Sequence, residues 1–220
     1  MATYDLQEQE QIEELKTWWT MHGSLITAVV VALAVGVVGW QGWQWWQRSE
    51  AAQAGQLYGT MQQALAQQDV KRVRQMAGEL IEKHAGTAYA GMAALLSGKV
   101  LAESGDLKSA QAQFGWAAEN AKDPALRDIA RLRQAIVLAD DQAADAALQL
   151  LAEPPAPSLM PRYLEVRGDV LAAQGMGAEA RLAYEQALKA LDDARRAEGM
   201  PAGPYREILQ TKRDAAGGQS

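Results

Sequence analysis

Two stretches decide the fold: Gly98–Ala117, GKVLAESGDLKSAQAQFGWA, and Gly168–Ala187, GDVLAAQGMGAEARLAYEQA. Gly98, Leu101, Gly105, Ala110, Phe114 and Ala117 return as Gly168, Leu171, Gly175, Ala180, Tyr184 and Ala187, with the same spacings of 3, 4, 5, 4 and 3. The offset of 70 residues is close to two units of about 34. Each position has a physical reason. A small Gly98 or Gly168 on a first helix lets a second helix approach, and Ala110 or Ala180 does the same from the other side. Phe114 and Tyr184 fill the space between neighbouring units. Gly105 and Gly175 supply a turn with positive φ, which costs glycine no side-chain clash.

Working outward, Ala135, Leu138, Ala147 and Leu151 occupy comparable places between the two copies. The pattern resembles the tetratricopeptide repeat (TPR). Ala, Leu, Gln, Glu and Arg dominate beyond Arg48 and β-branched residues are sparse, which disfavours strands. The expected fold class is all-α: a single N-terminal transmembrane helix followed by a TPR-like α-solenoid. Residues 48–213 form the repeat domain, with helical pairs at Gln53–Lys83, Ala88–Ala121, Ala125–Glu153 and Pro161–Leu191. Pro154-Pro155-Ala156-Pro157 ends the third pair, because proline cannot continue a helix. Met200-Pro-Ala-Gly-Pro204 precedes a short Tyr205–Arg213 helix that covers the apolar end of the stack. Residues 214–220 are expected to be a disordered tail.

Upstream the character changes. Residues 17–47 hold no Asp, Glu, Lys or Arg, and Leu25–Trp40 reads LITAVVVALAVGVVGW. Six of the seven tryptophans of the chain lie between Trp18 and Trp46, at the two ends of this stretch. Twenty-eight helical steps separate those two residues, about 42 Å at 1.5 Å per residue. That matches a bilayer with its interfaces, where tryptophan concentrates. Ala52-Gln53-Ala54 offers a cleavage-like pattern, but the preceding 1–16 lead-in carries five acidic residues against Lys16. A signal peptide wants positive charge there, so an uncleaved anchor over 17–47 is expected. Lys16 and Arg48 flank the anchor symmetrically, and the positive-inside rule gives no orientation. Ala28, Ala32 and Gly36 form one narrow face on which another helix can pack closely.

The 220-residue chain has 49% hydrophobic residues, 21 basic and 27 acidic side chains and no cysteine. The acidic balance argues against general nucleic-acid binding. Without cysteine there is no thiolate metal site and no thiol nucleophile. The two histidines, His22 and His84, lie at the membrane interface and near a helix end, and no His-Glu-x-x-His, Walker-type loop or nucleophile elbow occurs. The expectation is a protein that is not an enzyme and uses no cofactor or metal.

A stack of helical hairpins instead offers an extended surface for protein or peptide. Residues expected to face that groove are Met92, Leu95 and Lys99, then Ile129, Leu132 and Ile136, then Arg162, Glu165 and Asp169. The alternative for the middle three is burial in the core. The Lys/Asn clamp with which some such domains grip a terminal carboxylate is missing: Leu95 and Lys99 occupy the relevant face.

The chain as a whole resembles the YfgM family, ancillary subunits of the SecYEG translocon. The resemblance rests on the acidic lead-in ending at Trp18-Trp19, the Gly39-Trp40-Gln41-Gly42-Trp43 exit of the anchor, Thr87-Ala88-Tyr89-Ala90, the 142–148 segment QAADAAL and the 164–169 segment LEVRGD. It implies a bacterial inner-membrane protein with a cytoplasmic N-terminus and periplasmic repeats. It also implies association with SecYEG and with the periplasmic chaperone PpiD, so that secreted or membrane proteins meet a helper. Unfolded clients and homo-oligomers are further expected partners beside the lipid bilayer. The rival is a scaffold or assembly factor for another cell-envelope complex.

Overall fold

The computed structural model describes residues 2–217 except Met200 and Ala202, with side chains from Ile12 onward. All regular structure among the described residues is helical. The chain divides into two units, Met1–Glu50 and Ala51–Ser220. The first helix, α1 (Ala2–Ala66), contributes to both. The acidic lead-in is therefore helical from Ala2.

In the first unit α1 exposes its apolar side chains all round. Leu25, Val29, Val30, Val31, Leu33, Val35, Val37 and Val38 are exposed, as are Trp18, Trp19, Trp40, Trp43, Trp45 and Trp46. Only 6% of the most apolar window is buried. A water-soluble protein would cover such a helix; an apolar solvent has no need to. At one end the Trp18 ring stacks on His22 at 5.4 Å, and Trp19 lies over Gly23, where a Cβ would come within 3.1 Å of the indole. At the other, Trp43 and Trp46 are 5.4 Å apart.

The second unit consists of four helical hairpins and a final helix. Residues 51–66 of α1 pair with α2 (Val70–Lys83), α3 (Ala88–Glu103) with α4 (Leu107–Asn120), α5 (Pro124–Asp140) with α6 (Ala144–Leu150), and α7 (Met160–Ala173) with α8 (Gly177–Glu198). The last, α9, runs Pro204–Gly217. It carries helix four residues into the stretch expected as a tail; residues 218–220 lie outside the described residues.

All four hairpins use one turn. Gln68, Gly105, Gln142 and Gly175 have φ of 58°, 85°, 62° and 76°. In each, the next residue's N–H reaches back to the carbonyl five earlier: Asp69 to Ala64, Asp106 to Leu101, Ala143 to Leu138 and Met176 to Leu171, at 2.8–3.0 Å. This satisfies carbonyls that a helix end leaves without partners. Asp69 and Asp106 then cap the following helices, accepting from the N–H of Arg72 and Ser109.

The packing follows the repeat. A Cβ on Gly98 would sit 2.7 Å from the Phe114 ring, and one on Gly168 would sit 2.5 Å from the Tyr184 ring. Ala110, Ala117, Ala180 and Ala187 are fully buried. The proline linker is fixed to α5: Ala156 N–H donates to Asp128 Oδ2 at 2.8 Å, and Tyr163 O–H donates to the Asp128 carbonyl at 2.5 Å. Arg131 bridges Asp128 and Glu153. Burial pushes the Tyr163 hydroxyl up to about 12.

Candidate interaction groove

The inner helices place one residue triplet per hairpin at equivalent positions. Met92, Leu95 and Lys99 lie on α3; Ile129, Leu132 and Ile136 on α5; Arg162, Glu165 and Asp169 on α7, 33 residues beyond the preceding set. Their surroundings differ sharply. Lys99 is exposed, with its ammonium 3.7 Å from Glu103. Met92 is half-buried. Leu95 packs between the cluster containing Phe114 and Val137 and that containing Ala94, Ala117 and Ala130.

The α5 triplet is largely structural. Leu132 is buried at 7% exposure, and with half-buried Ile136 it packs against Tyr163, Val166 and Val170 of α7. Leu132 is therefore core and not an open groove wall. Its methyl groups are removed from water by the next hairpin, which favours that seam by roughly 25 cal/mol per Å² of apolar area.

The α7 triplet is charged and covered only in part: Arg162 is exposed and Asp169 half-buried. Glu165 is only 2% exposed. It accepts from Lys212 Nζ at 2.7 Å and from Tyr205 O–H at 2.7 Å, and it is paired with Arg162. Asp169 accepts from the same Lys212 at 2.7 and 2.8 Å and from Tyr184 O–H at 2.8 Å. Burial alone would push the Glu165 carboxyl upward, but the donors Lys212, Tyr205 and Arg162 outweigh it and hold it below its usual range. Burial opposes charge on Lys212, yet the two carboxylates raise its pKa. Burial and the neighbouring carboxylates likewise raise the hydroxyls of Tyr205 and Tyr184. The expected open face at Glu165 and Asp169 is thus filled from within the chain by α9. Lys212 and Tyr205 come from 40–47 residues away, and no local motif announces them.

One aromatic pair was outside the expected set. Tyr58 and Tyr89 lie 5.7 Å apart, ring to ring. Tyr58 stands 37 residues before Leu95, and Gln68 stands 37 before Gly105, so the turn alignment is the signal that finds it. On α1, Ala28, Ala32 and Gly36 are all exposed, and nothing lies within 4 Å of a Cβ built on Gly36. The arrangement as a whole sets apolar and charged side chains in register along successive helices.

Comparison with known proteins agrees with this architecture. A family model described as a tetratricopeptide repeat-like domain matches residues 16–218. The ancillary SecYEG translocon subunit of Haemophilus influenzae is 32% identical over 184 residues, covering 84% of this chain and 90% of that protein. The protein of the same name from Neisseria gonorrhoeae is 27% identical over 212 residues, covering 96% of this chain and 97% of that protein. With its apolar N-terminal helix, four matched hairpin turns and homology along nearly its whole length, the chain belongs to the family of ancillary SecYEG translocon subunits.

Proposed function

We propose that the protein is a membrane-tethered interaction module that works beside the SecYEG translocon. The observation that carries this reading is α1 itself, which is an exposed apolar helix in its first part and the opening helix of the repeat domain in its last. A single covalent element thus joins a bilayer anchor to a recognition surface. Tethering replaces bulk encounter with a high effective concentration near the membrane. The relatives' shared name points to the translocon as the neighbour. The repeat architecture belongs to a non-catalytic kind of protein, and recognition surfaces of stacked hairpins suit chains and folded partners alike.

In this reading the N-terminus lies in the cytoplasm, α1 crosses the inner membrane once and the repeats stand in the periplasm. There they engage a PpiD-like chaperone and the segments of secreted or membrane proteins that emerge beside it. The groove from Tyr58 and Tyr89 through Met92 and Lys99 is the open part of the surface, because α9 occupies the far end. The small-residue face at Ala28, Ala32 and Gly36 is where α1 meets another membrane helix.

Protease protection in right-side-out spheroplasts, combined with copurification from membranes in mild detergent, tests this reading. It expects degradation of the repeats from outside, survival of the N-terminal segment, and recovery of SecYEG with the chain. Repeats protected from outside protease, or recovery of a different envelope complex alone, would overturn it.

A further inference from the structure

The seams between hairpins are not built alike. Where α7 covers α5, Tyr163 and Val170, seven residues apart, pack in one cluster with Leu132 and Ile136. Where α9 covers α7, Tyr205 and Lys212, again seven apart, meet Glu165 and Asp169. The apolar set has been replaced by a charged one at equivalent positions, 33 residues on. A permanently covered helix face gains most from apolar residues, whereas a buried ion pair is often no more stabilising than the apolar residues that could replace it. Charged residues have a different advantage: when uncovered they are solvated. A seat made of Glu165 and Asp169 tolerates water in a way that one made of Leu132 and Ile136 does not.

We propose that α9 is the exchangeable occupant of a helix-docking seat on α7 and α8, and that the seat takes in its place a basic amphipathic helix of a partner protein. Its floor is the apolar patch of Leu164, Leu188 and Leu191, on which Leu209 and Tyr205 rest. Its rim is acidic: Glu165 and Asp169 on α7, and Asp192 on α8, which accepts two hydrogen bonds from Arg206 at 2.9 and 3.2 Å. Arg162 on the rim is already paired with Glu165. Beside Asp192 stand Arg195 and Arg196 of α8, whose charges add to Arg206 in holding its carboxyl low. The chemistry of the occupant is read from α9: an aromatic hydroxyl at position i, a cation at i+1, an apolar side chain at i+4 and an ammonium at i+7, corresponding to Tyr205, Arg206, Leu209 and Lys212. Tyr205, Leu209 and Lys212 share one face of the helix and Arg206 lies on its flank, toward Asp192. The apolar stripe with flanking charge is the usual way a helix is recognised in a groove. The seat lies wholly in the repeat unit, so its occupancy does not depend on the translocon reading.

The test uses the full chain in detergent micelles. Hydrogen exchange on the unaltered protein should show α9 amides opening while α7 and α8 stay protected. Exchange of α9 at the rates of α7 and α8 would overturn the proposal. A fluorescein-labelled peptide of residues 204–217 is then titrated into the unaltered chain and into a Leu209→Asp chain, whose own α9 is weakened while its seat is intact. Binding to the variant should be at least 10-fold tighter, and reversing the peptide at Arg206→Glu and Lys212→Glu should cost at least 10-fold. Equal binding of the reversed peptide, or loss of protection in α5 and α7 of the variant, would contradict an exchangeable acidic seat. Concentration-dependent dimers of the unaltered chain that Leu209→Asp abolishes would make the occupant a second copy and overturn the assignment to a partner protein.

Discussion

The seam between α5 and α7 and the seam between α7 and α9 solve the same geometric problem with opposite chemistry. The first joins Leu132 and Ile136 to Tyr163, Val166 and Val170. The second joins Glu165 and Asp169 to Tyr205 and Lys212, with Leu209 fully buried beside them. Apolar burial is non-directional and rises with area, so the first seam holds its hairpins in one cooperative block. The second depends on geometry and on protonation state. The difference teaches that stacking, by itself, does not fix an element's mobility; the residues at the shared positions do.

The largest effect is expected at the first seam. Leu132→Ala leaves a cavity between α5 and α7 and should destabilise the whole repeat unit by about 2–5 kcal/mol, read by denaturant unfolding as a single shifted transition. A shift confined to α9 would break the comparison. Next, replacing the whole charged set by Glu165→Leu, Asp169→Ile and Lys212→Val gives the second seam the residues of the first. Exchanging a buried ion pair for packed apolar residues is neutral to stabilising by about 1–4 kcal/mol, so α9 should lose its separate opening and exchange with the core.

Acidity sharpens the contrast without mutation. The Glu165 carboxyl is held below its unfolded value near 4.5, so its contribution is present above that pH and lost as the pH falls through the folded value. Lys212 is raised above 10.5, so its contribution is present below that pH and lost as the pH rises through the folded value. Docking of α9 should therefore be strongest between these limits. Arg162 and Asp169 on α7 and Tyr184 on α8 face the same cluster. Leu132 and Ile136 instead meet Val166, Val170 and Tyr163, whose hydroxyl is pushed up to about 12 by burial. The carboxylates at that end, Asp128 and Glu153, are paired with Arg131. Hydrogen exchange at pH 4 should show α9 opening more often while α5 and α7 change less; equal loss in all three would refute the distinction. The smallest effect is local: Gln142→Gly relieves a side chain held at φ 62°. It should raise the melting temperature slightly, by an amount worth about 1 kcal/mol. No gain, or a loss, would mean that the glutamine is held there by contacts worth more than the backbone strain.

Much of this architecture was legible in the chain. Gly98 and Gly168 announce their hairpins because each lies directly beneath an aromatic ring, and the run of exposed valines between tryptophans announces the anchor. The first and third hairpins are fainter. Their turns put Gln68 and Gln142 where glycine is expected, so a reading based on glycine misses half the series that the backbone makes obvious. The groove was legible in register but not in accessibility. Arg162, Glu165 and Asp169 occupy the positions expected of them, yet their partners return from α9 after a proline-containing link. Spacing within a helix carries no information about a cation 47 residues downstream. Leu132 was ambiguous for a related reason: a groove wall and a seam between hairpins both require an apolar residue on the same helix face.

The most direct test of the central claim is site-specific photocrosslinking in living cells, with one probe at Ala32 on the anchor and another at exposed Lys99 on the repeats. The account predicts SecYEG adducts from Ala32 and chaperone or emerging-chain adducts from Lys99. Adducts from both positions confined to an unrelated envelope complex would contradict it.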